Sequence, residues 1–220
     1  LEAIINEAAI AATMNNKDFV EMEDLEEARD KVRWGRQKRS RKIDEAEKKD
    51  TAYHEAGHTL IQSLLKDADP LHKVNIIPRG PYGGATFSLP EKDRNFYTKK
   101  YCMAQLQVCF GGRIAEELFC DDISSGASAD IQMATAVAKE MVQEWGMSET
   151  LGPIDFKNKP QEYFGAGGQD YSQKTAEVID AEVKKLIDKA YKLAKEIIES
   201  HRGQLQAIAD ALLKYESLDA

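Results

Sequence analysis

Apolar residues recur at the spacing of an α-helix along most of this chain. The first such stretch places them on one helical face, made of Leu1, Ile4, Ile5, Ala8, Ala9 and Ala12. After Asn15 and Asn16, a second short helix is predicted from about residue 24 to 32. Further helices are predicted over residues 44–66, 98–119, 128–145, 172–200 and 205–213. The longest carries an apolar stripe made of Val183, Leu186, Ala190, Leu193 and Ile197. The pattern therefore predicts a mainly α fold.

Polar residues and glycines predict how some of these helices begin and pack. Asp44 and Glu47 have the spacing of a capping box, and Ser128 is predicted to cap the helix that follows it. Gly111 and Gly112 lie inside a predicted helix, where each glycine costs about 1 kcal/mol relative to alanine. Because their missing side chains let another helix approach, we expect close helix packing at this pair.

Two short strands are predicted between the helices. Residues 73–77 and 85–89 have strand character, and residues 78–84, rich in proline and glycine, join them. The second strand alternates as Ala85, Thr86, Phe87, Ser88 and Leu89. Because successive side chains of a strand point to opposite faces, one face of it is expected to be buried. A small β-hairpin or sheet is therefore predicted beside the helices.

The composition describes an ordinary acidic globular protein. The 220 residues are 42% hydrophobic and 31% charged, and the formal net charge is -8 at pH 7. Such a chain offers no basic field, so we expect no nucleic-acid partner. Cys102, Cys109 and Cys120 have no paired spacing and indicate neither a disulfide framework nor a cysteine-rich zinc module. No run approaches the roughly 20 apolar residues of a membrane span, so the chain itself is expected to be soluble.

One pentad carries candidate chemistry. His54-Glu55-Ala56-Gly57-His58 places two imidazoles four residues apart in a predicted helix, so both point from the same face. That spacing suits a tetrahedral zinc ion, and Glu55 would stand beside the open coordination position. A carboxylate there can take a proton from water and later pass it to a leaving amine. The plainer alternative is that two histidines share a helix by chance.

A catalytic zinc needs a third protein ligand, and the residues leave its identity open. Two glutamates on the next predicted helix, Glu116 and Glu117, suit one class of such peptidases. Asp130 is the rival, because it lies in the first turn of a later helix, where the helix dipole favours a carboxylate. Physical reasoning places these candidates near parity. His72 and His201 have no comparable companions and are interpreted as structural or surface residues.

Beyond the pentad, the sequence resembles the FtsH family of membrane-anchored AAA zinc proteases, essentially from end to end. The segments that carry the resemblance are Ile5-Asn6-Glu7-Ala8-Ala9, Thr51 through His58, Asp69-Pro70-Leu71-His72-Lys73-Val74, Ile77-Pro78-Arg79-Gly80, Gly111-Gly112-Arg113-Ile114-Ala115-Glu116-Glu117, Ser125-Gly126-Ala127-Ser128-Ala129-Asp130 and Trp145-Gly146-Met147-Ser148. In this family the aspartate of the Ser-Gly-Ala segment is the third ligand. The resemblance thus implies one Zn²⁺ per chain held by His54, His58 and Asp130, with Glu55 as the catalytic base.

The resemblance also implies a division of the chain. Residues 1–33 resemble the C-terminal part of an AAA helical lid, and residues 44–220 a mainly helical zinc metallopeptidase domain. Residues 34–43, which are rich in basic side chains, are interpreted as the linker between them. The chain begins at Leu1 and contains no Gly-x-x-x-x-Gly-Lys-Ser/Thr sequence. The ATPase site, with its ATP and Mg²⁺, is therefore expected in a missing part of a longer parent.

For function, the resemblance implies a zinc metalloendopeptidase within an ATP-dependent parent that degrades misfolded and membrane proteins. The parent is expected to form a homo-hexamer and to reach the inner (plasma) membrane of a bacterium through a missing N-terminal anchor, with this domain on the cytoplasmic side. Extended polypeptide substrates are expected to pair with the edge of strand 85–89 through backbone hydrogen bonds. Two other classes of function stay open, which are an assembly scaffold and a metallopeptidase that acts alone on small substrates.

Overall fold

The computed structural model describes residues 1–35, 44–78, 84–88, 95–157 and 171–219. Its helices are α1 (Glu2–Met14), α2 (Met22–Trp34), α3 (Glu45–Leu64), α4 (Lys99–Phe119), α5 (Ser128–Gln143), α6 (Gln173–Ser200) and α7 (Arg202–Tyr215). Its strands are β1 (Leu71–Asn75), β2 (Ala85–Ser88) and β3 (Ser217–Asp219), and a short 3-10 helix spans Ser125–Ala127. The predicted fold class, mainly α with a small sheet, is confirmed.

The first two helices pack against each other through small buried residues. Ala8 and Ala12 of α1 and Ala28 of α2 are all buried. Helix α2 begins at Met22, slightly earlier than predicted, because the Asp24 carboxylate accepts a hydrogen bond from the Glu21 amide at 3.0 Å and so closes the first turn. Most of the predicted basic linker, residues 36–43, lies outside the described residues. The division of the chain into a lid part, a linker and a peptidase domain therefore stays a prediction.

The core of residues 44–219 is built on the contact between α3 and α4. A Cβ atom added to Gly57 of α3 would lie 2.2 Å from the carbonyl oxygen of Gly111, and one added to Gly111 would lie 2.7 Å from that of Gly57. Only glycine on both helices permits such close backbones, which confirms the close packing expected at Gly111 and Gly112. Helices α5, α6 and α7 complete the core around this pair, with Leu106, Ile114, Met141, Ile198 and Leu212 fully buried.

The sheet is antiparallel in the order β2-β1-β3. Strand β3 was not predicted, because three residues directly after a helix carry no readable alternation. It is positioned by Glu216, whose left-handed backbone (φ 62°) ends α7 and whose carbonyl oxygen accepts a hydrogen bond from the Ile76 amide at 2.9 Å. In β2, Phe87 is buried but Ala85 only half-buried, and Leu89 lies outside the described residues.

Two helix-level expectations are wrong in detail. Asp44 is the N-cap residue of α3, but its side chain makes no capping hydrogen bond. On α6 the buried stripe advances mainly by four residues, so that Ala194 and Ile198 are buried whereas Leu193 is 37% exposed. The predicted stripe alternated steps of three and four residues. Steps of four alone turn the buried face gradually around the helix axis, and over 28 residues the buried face departs from the predicted one. Among the described residues, no helix has the length and apolar character that a membrane crossing needs.

Candidate metal centre

Two imidazoles and one carboxylate converge on a single point between α3 and α5. The Nε2 atoms of His54 and His58 lie 3.0 Å apart, and Oδ2 of Asp130 lies 3.3 Å from the first and 3.5 Å from the second. Ligand atoms placed about 2.0–2.1 Å from a tetrahedral ion are about 3.3–3.4 Å from one another. The three side chains therefore have the spacing of a group that can hold one metal ion.

Hydrogen bonds on the far side of each ring orient the imidazoles. Nδ1 of His54 lies 2.7 Å from Oε1 of Glu116, and Nδ1 of His58 lies 2.7 Å from the carbonyl oxygen of Val108. Both partners are acceptors, so Nδ1 carries the hydrogen in each ring and donates it. The lone pair of each Nε2 atom is consequently directed to the point where Asp130 also lies.

The charges around this point favour a cation. Burial lowers the pKa of His54, but the Asp130 and Glu116 carboxylates outweigh it and raise that pKa to about 10. Burial raises the pKa of Asp130, yet the adjacent His54 and His58 imidazoles hold it well below its usual range. The site thus stabilises positive charge among partly buried groups, as a site for a metal dication should.

The two glutamates that were candidates for the third ligand lie on different faces of α4. Glu116 is buried behind His54, where its carboxylate also accepts hydrogen bonds from the amide (2.9 Å) and hydroxyl (3.1 Å) of Ser124. Glu117 instead lies 3.3 Å from the Lys195 ammonium group on α6. Asp130 is therefore the carboxylate that meets both imidazoles. The orienting contact of Glu116 was missed, since the sequence offers no signal that it faces Nδ1 of His54.

Gly112 makes room for one of the two imidazoles. A Cβ atom at this position would lie 2.5 Å from both Cε1 and Nε2 of His54. The glycine pair therefore has two functions, because Gly111 admits the backbone of α3 and Gly112 admits the ring that α3 carries.

Glu55 lies in the same cleft as the three converging residues. The cleft has a volume of about 910 Å³, and residues 84–86 of the β2 segment line it too. The Glu55 side chain is buried, and its Oε2 atom accepts a hydrogen bond from the Thr86 hydroxyl at 2.7 Å. Burial raises the pKa of Glu55, although the neighbouring His58 and His54 and the Thr86 hydroxyl oppose this shift. A carboxylate that shares a cleft with a potential metal site, and whose pKa burial raises, has the chemistry of a general base.

The other two histidines stand apart from this cluster. Nε2 of His72 on β1 lies 2.9 Å from Nη2 of Arg29 on α2, which links the first helical pair to the sheet. Nδ1 of His201 lies 2.8 Å from the carbonyl oxygen of Ile197 at the end of α6. Neither belongs to the metal-binding group found among the described residues.

Comparison with known proteins finds one family over most of the chain. Residues 41–220 match the model of Peptidase family M41. The whole chain is 50% identical over 224 residues to the ATP-dependent zinc metalloprotease FtsH 2 of Methylacidiphilum infernorum, and covers 35% of it. It is 48% identical over 223 residues to FtsH 1 of Thermomicrobium roseum and 46% identical over 224 residues to FtsH of Myxococcus xanthus, again over its full length. The chain spans about a third of the length of these relatives, namely 34% of the Thermomicrobium protein and 35% of the Myxococcus protein.

Proposed function

We propose that this chain, which belongs to peptidase family M41, is a zinc-dependent endopeptidase. In this proposal His54, His58 and Asp130 bind the metal and Glu55 is the general base. The observation that carries it is the convergence of Nε2, Nε2 and Oδ2 within 3.0–3.5 Å of one another, with a buried carboxylate in the same cleft. The relatives are named zinc metalloproteases, which agrees with that donor set.

The residues divide the chemistry of peptide hydrolysis between them. When bound, zinc supplies Lewis acidity to the reacting carbonyl group and to a water molecule. The Glu55 carboxylate accepts a proton from the attacking water and delivers it to the nitrogen of the leaving amine. Glu116 and the carbonyl oxygen of Val108 hold the two imidazoles in the tautomer that ligation needs.

We propose an extended polypeptide as the substrate. Strand β2 lies at the outer edge of the β2-β1-β3 sheet, and its residues Ala85, Thr86 and Ser88 line the cleft beside the candidate metal site. A chain that pairs with this edge would be held mainly by backbone hydrogen bonds, which recognise extended conformation rather than particular side chains. Specificity is accordingly expected to be loose, as suits degradation of unfolded protein.

The relatives are named ATP-dependent and are about three times as long as this chain, which covers 35% of the first. We propose that the chain works with an AAA ATPase in a homo-hexamer attached to the inner membrane of a bacterium, where it degrades misfolded and membrane proteins on the cytoplasmic side. Residues 1–33 would then be part of the ATPase lid and residues 34–43 its linker to the peptidase domain, residues 44–220. The contact of α1 with α2 supports a separate helical unit.

Metal removal together with one variant tests the proposed activity. The zinc-loaded chain should cleave both casein and short peptides, lose this activity on chelation and recover it with zinc. Glu55→Gln should keep its zinc and lose about 10²- to 10⁴-fold in turnover, because only the general base is removed.

Each outcome separates the proposed function from its alternatives. Near-normal turnover by Glu55→Gln would remove Glu55 from the mechanism. Zinc binding without any hydrolysis would favour an assembly scaffold, and cleavage of short peptides but not casein would favour a metallopeptidase for small substrates.

A further inference from the structure

We infer that Thr86 is a positioning residue for Glu55: its hydroxyl group holds the carboxylate in the orientation that proton transfer requires. The inference rests on the proposed function, because it assigns to a residue of β2 a part in the reaction that Glu55 performs. Its basis is the geometry around the carboxylate.

The hydroxyl of Thr86 has two acceptors within reach and only one hydrogen to donate. Oγ1 lies 2.7 Å from Oε2 of Glu55 and 3.4 Å from the backbone carbonyl oxygen of the same residue. A hydroxyl–carboxylate bond of 2.7 Å is short and charge-assisted, whereas 3.4 Å is beyond the normal range for a hydroxyl donor. The hydrogen is therefore donated to the carboxylate, and the contact with the helix backbone is secondary.

The second carboxylate oxygen of Glu55, Oε1, packs against Gly84. A Cβ atom at Gly84 would lie 2.9 Å from Oε1 of Glu55, 2.9 Å from Cγ2 of Thr51 and 3.0 Å from the carbonyl oxygen of Asn75. The carboxylate thus fits against the bare backbone of Gly84 on one side and is hydrogen-bonded by Thr86 on the other. Thr86 thus supplies a side-chain hydrogen bond that fixes one of the two carboxylate oxygens.

Strand pairing holds the donor itself in place. Thr86 is opposite Val74 in the β1–β2 register, and Val74 is 1% exposed. Because β1 also pairs with β3, the strand opposite Thr86 is the central one, and the hydroxyl is held by a paired edge strand rather than by a free loop. Because Thr86 engages Oε2 of Glu55, the lone pairs of Oε1 are left to accept the proton of the water molecule. Misplacement of a catalytic group by about 1 Å can lower the rate about 100-fold.

The test compares three variants of the zinc-loaded 220-residue chain with a labelled short peptide as substrate. Thr86→Val removes the hydroxyl and keeps the branched shape, and should lower kcat about 10- to 100-fold while KM and zinc content stay within about twofold. Thr86→Ser keeps the hydroxyl and should recover most of kcat. The matched control is Thr13→Val on α1, whose hydroxyl donates to the carbonyl oxygen of Ala9 at 2.8 Å and whose loss should leave kcat unchanged.

A binding measurement separates positioning from a role in substrate binding. The affinity of Glu55→Gln for the labelled peptide, measured by fluorescence anisotropy, should be the same with and without Thr86→Val. Weaker binding in the double variant, loss of zinc by Thr86→Val, an unchanged kcat in Thr86→Val, or a Thr86→Ser variant as slow as Thr86→Val would each overturn the inference. An unmutated chain that shows no zinc-dependent hydrolysis would instead overturn the proposed function.

Discussion

At the scale of single residues, the candidate site depends on which atom of each side chain is already engaged. His54 and His58 use Nδ1 for hydrogen bonds to Glu116 and to the backbone, which directs both Nε2 atoms to the same point. The carboxylates of Glu116 and Asp130 likewise differ in the partners that they already contact. Glu116 is saturated by His54 and Ser124, whereas Asp130 reaches both Nε2 atoms.

This division predicts opposite results for two isosteric changes. Asp130→Asn replaces a charged oxygen donor by a neutral amide and should weaken zinc binding by more than about 100-fold. Loss of a residue that only hydrogen-bonds to a ligand usually weakens metal binding by about 10- to 100-fold. Glu117→Gln, the matched control, should keep its zinc because Glu117 faces Lys195. Metal analysis after dialysis measures both. Loss of zinc from the glutamine variant and its retention by the asparagine variant would show that the ligand assignment is wrong.

At the scale of elements, the site exists because α3 and α4 approach more closely than side chains normally allow. Gly57 and Gly111 bring the two backbones together, and Gly112 leaves the space that the His54 ring occupies. Glycine inside a helix costs about 1 kcal/mol relative to alanine, so its use twice in succession in α4 has to be offset by the contact that it permits.

Adding one methyl group at Gly112 should therefore damage the metal site. In Gly112→Ala the new Cβ atom would lie 2.5 Å from the His54 ring, which has to move. We expect zinc affinity to fall at least about 10-fold and the free energy of unfolding to fall by about 1–3 kcal/mol, as is usual for overpacking. Competitive zinc titration and denaturant unfolding measure the two effects.

The same substitution in open space provides the control. Gly203 lies in α7, and a Cβ atom there would meet nothing within 4 Å. Gly203→Ala should bind zinc normally and should be no less stable, since alanine is the better helix former. Unchanged zinc affinity in Gly112→Ala would mean that the ring does not depend on that space.

At the scale of the whole molecule, this chain carries a candidate metal site within a cleft. Its 220 residues contain no Gly-x-x-x-x-Gly-Lys-Ser/Thr segment. The cleft of about 910 Å³ can take an extended segment, whereas a folded substrate would have to open before its backbone could reach β2. Opening a folded domain costs about 5–15 kcal/mol.

The chain should consequently degrade an unfolded reporter and leave a stably folded one intact. The experiment incubates the chain with a folded reporter that bears an unstructured tail, with and without ATP, beside the same reporter permanently unfolded. Trimming of the tail and digestion of the unfolded form are expected, because both supply extended polypeptide. Destruction of the folded reporter that increases with ATP would require a motor within these 220 residues and would contradict the prediction.

Local patterns determined most of the fold class and half of the candidate site. Helical periodicity located every α-helix of the described residues to within a few positions, because amphipathic spacing is read over short stretches of chain. The pentad likewise placed His54, Glu55 and His58 on one helix by local geometry alone. The rotated stripe of α6 shows where such a local rule yields to packing, whereas Asp44 is exposed and packing does not explain its missing capping bond.

Tertiary structure alone decided the contacts between residues that are distant in the chain. Glu116 meets His54 across 62 positions and Thr86 meets Glu55 across 31, and neither pairing has a periodic signal. Strand β3 exists only because β1 offers it a partner. Residue chemistry and dipole arguments left Asp130 level with Glu116 and Glu117, and only the resemblance to a known family favoured it. The positions of α4 and α5 around α3 determine which carboxylate faces the imidazoles, because side-chain direction depends on how helices pack and not on the residues next to it in the sequence.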